Sequence, residues 1–187
     1  IITDYLEVEP ILIDSALVSA QHRERFYWTN ISNVEQPEDR KILLKDVVLG
    51  DVEPVALHNL YGGFSERAVR VFENKSPTVR TAKGGGHIPH FVKKDLLHSE
   101  KAIEYMIKNN KMPTTVANFF KGISYNVFKD WNCIRKFHPV ECERLQTIPD
   151  NYTEGLSNTQ RYNCVGNGFT IDVIAHILSY LPDEYKK

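Results

Sequence analysis

From about residue 50 to residue 134 the chain changes texture. Gly62-Gly63 and Gly84-Gly85-Gly86 punctuate short β-type runs such as Val69-Arg70-Val71-Phe72. Glycine at that density supplies turns and positive φ and interrupts long helices. One clear helix is predicted there, over 99–110, with Ser99 as its cap and Ala102, Tyr105 and Met106 on one face. Such a section reads as a small, mostly β, irregular domain.

The flanks read as α/β. Residues 1–6 resemble the tail of a helix, and Ile1 in place of Met suggests that something precedes them. Pro10-Ile11-Leu12-Ile13 is a short apolar run before Asp14-Ser15 and reads as a buried strand. Residues 25–31 (RFYWTNI) are aromatic and β-branched and read as a second strand, followed by a polar loop over 32–41. Residues 42–48 begin a new unit. A short helix is predicted over 139–146, with Pro139 in its first turn. A stronger one covers 170–181, with Ile171, Ile174, Leu178 and Leu181 along one side and Pro182 as its stop.

Charge divides the chain at similar places. Residues 1–66 carry 5 basic and 12 acidic side chains, residues 67–136 carry 14 and 5, and residues 137–187 carry 4 and 7. A net charge of −1 therefore conceals a basic centre, which is the footprint of a polyanion site or of a solvated basic face. The three cysteines, Cys133, Cys142 and Cys164, have no metal-ligand spacing and suit a reducing cytoplasm. None shows a basic partner that would make it a nucleophile. His87 and His90 lack carboxylate or cysteine support, so no metal is expected.

Three constellations carry chemistry. In an extended Gln21-His22-Arg23-Glu24-Arg25 segment, Gln21, Arg23, Arg25 and Tyr27 share one face. His22, Glu24, Phe26 and Trp28 share the other, with the aromatics expected towards a core. Two permanently charged guanidinium groups suit a carboxylate, a phosphate or a base carbonyl, and cannot abstract a proton. The alternative is an edge strand with solvated arginines. In Ser76-Pro77-Thr78-Val79-Arg80-Thr81-Ala82-Lys83-Gly84-Gly85-Gly86, donors flank glycines that permit close backbone approach, which fits phosphates and base edges or else a flexible hairpin. Gly166-Asn167-Gly168 is expected to open the last helix, as an anion-binding turn or an ordinary cap.

Taken in order, these pieces resemble the DNA cytosine-5 methyltransferase family. Gln21-x-Arg23-x-Arg25 is similar to its Gln-x-Arg-x-Arg motif. Thr78 to Gly86 resembles the threonine-rich, triple-glycine segment of its target recognition domain. Arg135-Lys136-Phe137-His138-Pro139-Val140-Glu141-Cys142-Glu143-Arg144-Leu145-Gln146-Thr147-Ile148-Pro149-Asp150 resembles the motif that organises that domain, and is the most specific match. Gly166-Asn167-Gly168 resembles the family's C-terminal Gly-Asn-Ser/Gly. The S-adenosylmethionine loop, the Pro-Cys-Gln nucleophile loop and the Glu-Asn-Val motif, all of which precede these in the family, do not occur in the 187 residues.

The resemblance implies the C-terminal part of a Rossmann-like, S-adenosylmethionine-dependent methyltransferase fold plus a small, mostly β target recognition domain. The expected division is residues 1–48 for C-terminal strands of the catalytic domain, 49–134 for target recognition and 135–187 for the return to the catalytic domain. By resemblance, Arg25 donates to O2 of a flipped cytosine, Arg23 braces the catalytic loop or acidic residue, and Gln21 orders the site. Gly166, Asn167 and Gly168 border the S-adenosylmethionine pocket. Arg70, Thr78, Arg80, Thr81, Lys83, Gly84, Gly85 and Gly86 face double-stranded DNA. The implied setting is a cytoplasmic, prokaryotic or phage-type restriction-modification enzyme. Its N-terminal catalytic half comes from the same chain or a separate subunit, and the fragment alone is inactive and self-associates. The alternatives are a non-catalytic DNA-binding or regulatory module of the same fold, and a metal-dependent nuclease-like enzyme.

Overall fold

A computed structural model describes residues 1–58, 70–81, 90–93 and 134–186. Gly62-Gly63, residues 83–87, Cys133 and the helix expected over 99–110 lie outside the described residues.

The element order begins with helix α1 (Ile2–Leu6), strand β1 (Ile11–Asp14) and strand β2 (Glu24–Tyr27). Strands β3 (Pro54–His58), β4 (Arg70–Phe72), β5 (His90–Lys93) and β6 (Ile134–Lys136) follow, then helices α2 (Pro139–Leu145), α3 (Asn158–Asn167) and α4 (Ile171–Ser179). The chain is thus mixed α/β. Strands β1 and β2 pair antiparallel with Ile11 opposite Tyr27 and Asp14 opposite Glu24. The other four form an antiparallel sheet in the order β4-β3-β5-β6. Among the described residues the parallel contact outside these strands is a single bridge between Gln21 and Ser76.

The hairpin corrects the expected strand faces. Tyr27 is buried at 9% exposure, whereas Phe26 is 58% exposed and Trp28 only half-buried. Register is the cause. Tyr27 stands opposite Ile11 and joins Ile13, Val18, Val173 and Ile177 in one apolar cluster against α4. The phase of α4 also differs from expectation. Val173 and Ile177 are buried, while Ile171 and Leu178 are 46% and 48% exposed. The helix is apolar on two adjoining sides, so periodicity alone does not choose between them. Hydrogen bonds choose: Thr170 Oγ1 donates to Gln146 Oε1 at 2.8 Å and the Asp172 amide donates to Thr147 Oγ1 at 2.9 Å.

A second apolar cluster crosses the expected segment boundaries. Ala20, Leu44, Val47 and Val48 pack with Ala56, Val79 and Phe91, and with Phe137, Cys142, Leu145 and Val165. The unusual 135–150 run supplies its polar frame. Glu141 is fully buried and receives Arg135 through two nitrogens at 2.7 and 2.6 Å, the Leu49 amide at 2.7 Å and the His138 amide at 2.6 Å. Arg135 also lies 4.0 Å above the Phe91 ring, which ties β5 to the start of α2. His138 caps α2 and Pro139 sits in its first turn, where no amide donor is needed.

Glu143, also fully buried, accepts from Asn151 N, Thr153 N and Oγ1, and Arg161 Nη2. Arg161 lies on α3, a helix the sequence reading left out. Its signal was present as Ser157-x-x-Gln160, a capping box that the structure forms. Gly166-Asn167 therefore ends α3, with Gly168 as its C-cap, and does not open the last helix, which starts at Ile171.

Burial alone would raise the Glu143 carboxyl; hydrogen bonds from Thr153, Arg161 and Asn151 outweigh it and hold it below the usual glutamate range. A carboxylate depressed in the folded state stabilises fully above its unfolded pKa, about 4.3, and loses that contribution as pH falls below it. Glu143→Gln leaves Arg161 buried without its counter-charge, at an expected cost of about 3–5 kcal/mol at neutral pH. It should also flatten the acid limb of stability against pH. Calorimetry that finds the acid limb unchanged would show that Glu143 does not set it.

Candidate functional site

The segment 74–81 runs beside residues 20–22, just ahead of β2, and holds the site together. Lys75 Nζ donates to the carbonyls of Ala16, Ser19 and Ile42 at 2.7, 2.9 and 2.7 Å. Burial pulls this ammonium below its ordinary pKa, while Asp39, Asp14 and Asp46 act in the opposite sense. The Ser76 amide donates to Ala20 O at 2.6 Å, and Ser76 O accepts from the His22 amide at 2.8 Å. Thr78 Oγ1 then donates to His22 O at 2.7 Å.

Gln21 is fully buried and reads both ends of this joint. Its Oε1 accepts the Val79 amide at 2.7 Å, and its Nε2 donates to Leu145 O at 3.0 Å and Gln146 Oε1 at 3.3 Å. Gln146 Nε2 continues to Val165 O at 2.9 Å, and Thr170 Oγ1 accepts from Ser15 Oγ at 2.8 Å. Each buried amide thus has its donor and acceptor engaged, as burial in a low dielectric demands.

Arg23, 7% exposed, spends its guanidinium on three backbone carbonyls: Val79 O at 3.0 Å, Gly166 O at 3.2 Å and Gly168 O at 3.0 Å. Burial and the like charge of Arg25 lower its pKa, and Tyr27 acts in the opposite sense; the group remains a permanent cation. One planar fork thereby closes the C-terminal end of α3 onto β2 and the 76–81 segment. The negative end of the α3 dipole faces this cation.

Gly166 and Gly168 differ in what they permit. A Cβ on Gly166 would lie 2.4 Å from the Arg80 carbonyl carbon and 2.5 Å from the Thr81 nitrogen. A Cβ on Gly168 would come no closer than 3.2 Å, to Cys164 O. Gly166 is thus required by the passage of the Arg80–Thr81 backbone. Asn167 is exposed, and Phe169 is 59% exposed beside Tyr27, with ring centroids 6.4 Å apart.

Arg25 parts from Arg23. It is exposed, and its Nη1 donates to Glu24 O at 2.7 Å. Two adjoining concavities open beside it. One, about 180 Å³, is lined by His22, Arg70, Phe72, Pro77, Thr78 and Arg80. The other, about 410 Å³, is lined by Asp14, His22, Glu24, Arg25 and Thr78. His22 and Thr78 belong to both. Among the described residues that line the first there is no carboxylate, and Arg70, Thr78 and Arg80 give it a chemistry suited to an anion. Arg70, Thr78 and Arg80 are brought together there, with Thr81 next along the chain, while Lys83 and Gly84 to Gly86 lie outside the described residues.

The sequence reading assigned no role to His22, placed on the aromatic face, or to Asp14. Asp14 Oδ2 lies 3.0 Å from His22 Nδ1, and its Oδ1 accepts the Ala16 and Arg23 amides at 3.0 and 2.8 Å. Burial works against the Asp14 charge, but these hydrogen bonds outweigh it and hold the carboxyl below its ordinary range. Cys142 is unsuited to nucleophilic chemistry, because burial and the neighbouring Glu141 and Glu143 push its thiol far up. Cys164 is exposed. Among the described residues no group of three or more His, Cys, Asp or Glu side chains converges as a metal site. No described helix is long and apolar enough to cross a membrane.

The family profile described as C-5 cytosine-specific DNA methylase matches residues 7–182. The chain is similar to the orphan methyltransferase M.SPBetaI of Bacillus phage SPbeta, 30% identical over 129 residues, 60% of this chain and 29% of that protein. It is also similar to the type II methyltransferase M.Sau3AI of Staphylococcus aureus, 44% identical over 43 residues, 23% of this chain and 10% of that protein. A solved structure of the Entamoeba histolytica methyltransferase EhMeth aligns with a TM-score of 0.47 at 16% identity, over 100% of this chain and 58% of that one. The matched part spans less than a third of either curated relative's length.

The two glycines yield a paired prediction. Gly166→Ala should displace the Arg80–Thr81 backbone and destabilise the chain by about 1–3 kcal/mol, as overpacking does. Gly168→Ala should cost less, because its tightest contact asks for a shift of only a few tenths of an ångström. Equal denaturation midpoints for the two variants would refute the packing argument.

Proposed function

We propose that this chain, which belongs to the C-5 cytosine-specific DNA methylase family, supplies the DNA-reading surface and part of the base and cofactor pockets of a DNA cytosine-5 methyltransferase. The observation that carries the reading is the cationic concavity of Arg70, Thr78 and Arg80 next to the exposed Arg25. Side chains able to donate to phosphate thus lie near an exposed guanidinium, which supports the reading.

In this reading Arg25 donates to O2 of the extruded cytosine. Extrusion costs a few kcal/mol and must be repaid by such contacts. A hydrogen bond to a charged donor contributes roughly 1.5–3 kcal/mol. Arg23 and Gln21 act as positioning residues. They lock the 76–81 segment and the end of α3 against β2, so that Arg25 and Arg80 keep a set separation.

S-adenosylmethionine would supply the methyl group. Of the residues that would border its site, Gly166 and Gly168 shape the turn with their carbonyls held by Arg23, and the exposed Asn167 and Phe169 would meet the cofactor. The rest of the pocket and the thiolate that adds to carbon 6 would come from a companion segment, because no Pro-Cys-Gln loop occurs in the 187 residues and Cys142 is buried and held as a thiol. That segment has apolar surface to cover. Leu12 and Phe26, opposite each other on the outer hairpin face, are 46% and 58% exposed, and Ile2, Tyr5 and Leu6 of α1 are open beside them in sequence. The same surface would drive self-association of the isolated chain.

Arg80→Ala should weaken binding of duplex DNA by about 1–3 kcal/mol. The slope of log affinity against log salt should fall by about 0.9 if one phosphate contact is lost. Unchanged affinity in a salt-controlled titration would refute the assignment. The 187-residue chain alone should transfer no methyl group to DNA, and adding a polypeptide that carries the cysteine loop should restore transfer. Methylation by the chain unaided would overturn the division of labour.

A further inference from the structure

The concavity described above contains a group that its arginines do not account for. His22 lies where the two openings meet and lines both. Its side chain is 53% exposed, yet one ring nitrogen is held: Nδ1 stands 3.0 Å from Asp14 Oδ2. Asp14 is itself immobilised, because its other oxygen accepts the amides of Ala16 and Arg23. An ionised carboxylate only accepts, so Nδ1 carries the hydrogen of that bond. Nε2, at the far side of the ring, is then the atom that gains or loses a proton.

Among the described residues, charged groups face His22 from several elements. Asp14 lies on β1, Glu24 and Arg25 on β2, Arg70 on β4, and Arg80 on the 76–81 segment, with Thr78 as the neutral donor. Asp14 offsets the arginines locally. Towards Arg70, Thr78 and Arg80 the described lining residues include no acid, so an anion seated there would meet His22 Nε2–H as an additional charged donor. The arginines keep their charge at all accessible pH, whereas an imidazole changes charge between about pH 5 and 8.

We propose that His22, oriented by Asp14, is a further phosphodiester contact of this cleft, one that grips the DNA backbone in its imidazolium form and releases it when neutral. The inference rests on the DNA-binding reading above and adds to it a contact whose strength follows pH.

The test is binding of a fluorescent DNA duplex to the full 187-residue chain, followed by anisotropy at constant ionic strength from about pH 6 to pH 8. Wild type should bind about two- to fivefold more tightly at the acid end, the range of an exposed ion pair. Its salt slope there should be steeper by about 0.9. His22→Gln should remove that difference, and His22→Arg should bind at both ends as wild type binds in acid. A pH response that survives His22→Gln would overturn the inference while leaving the DNA-binding reading intact. An absence of binding at any pH would overturn both.

Discussion

Arg23 is the group on which the rest of this structure depends. Its guanidinium fork reaches Val79 O, Gly166 O and Gly168 O, so a residue on the way into β2 closes two distant stretches of chain onto one another. A buried guanidinium is costly to desolvate and tolerable only when its donors are satisfied. Here backbone carbonyls at a helix C-terminus satisfy them, and those carbonyls need donors because the helix provides none. Gln21 performs the neutral half of the same task, two residues earlier, and passes the connection through Gln146 to Val165 and Thr170. The motif Gln21-x-Arg23-x-Arg25 therefore has two structural members and one that faces solvent. That asymmetry is why Arg25, exposed at the surface, is the member proposed to meet a ligand.

The 135–150 run has a different logic. Its two fully buried glutamates flank Cys142 and point to different partners. Glu141 joins Arg135 and the Leu49 amide to the start of α2, and Glu143 joins Arg161 and the 151–153 turn to its end. Each carboxylate organises backbone from a separate part of the sequence. Buried charge of this kind adds little net stability over an apolar core, but removing one partner is expensive. It therefore specifies one arrangement of segments rather than merely a stable one. The Arg135 contact with Phe91 extends that specification to the sheet that carries Arg70.

The open surfaces complete the picture. The hairpin buries Ile13 and Tyr27 against α4 and leaves Leu12 and Phe26 open, and α4 leaves Ile171 and Leu178 open in turn. Apolar side chains exposed on both sides of one packed layer are what a companion segment would cover. The cationic concavity, by contrast, is built from polar and charged side chains on a segment pinned by Lys75, Ser76 and Gln21. The surface proposed for a protein partner and the surface proposed for DNA are thus distinguished by chemistry.

Much of the site was legible from residue types and their order. The Gln-x-Arg-x-Arg array, the basic centre, the donors at 78–81, the short helix begun by Pro139 and the Gly-Asn-Gly turn are all written in the chain itself. Their meaning in space was not. Strand alternation could not say which face of β2 is buried, because Tyr27 and Phe26 are both large and aromatic. Only pairing with Ile11 and packing on α4 decided it. An apolar stripe could not set the phase of α4, because hydrogen bonds donated by Thr170 Oγ1 and by the Asp172 amide outweigh an apolar pattern with two usable sides. Nor could local rules show that Gly166 makes room for Arg80–Thr81, or that Asp14 holds His22, since both are contacts between residues far apart in sequence or in separate strands. Sequence by itself determined which chemical groups the protein has and in what order. The tertiary structure decided which of them are consumed in holding the chain together and which remain for a ligand, because that division depends on desolvation and on partners that only folding supplies.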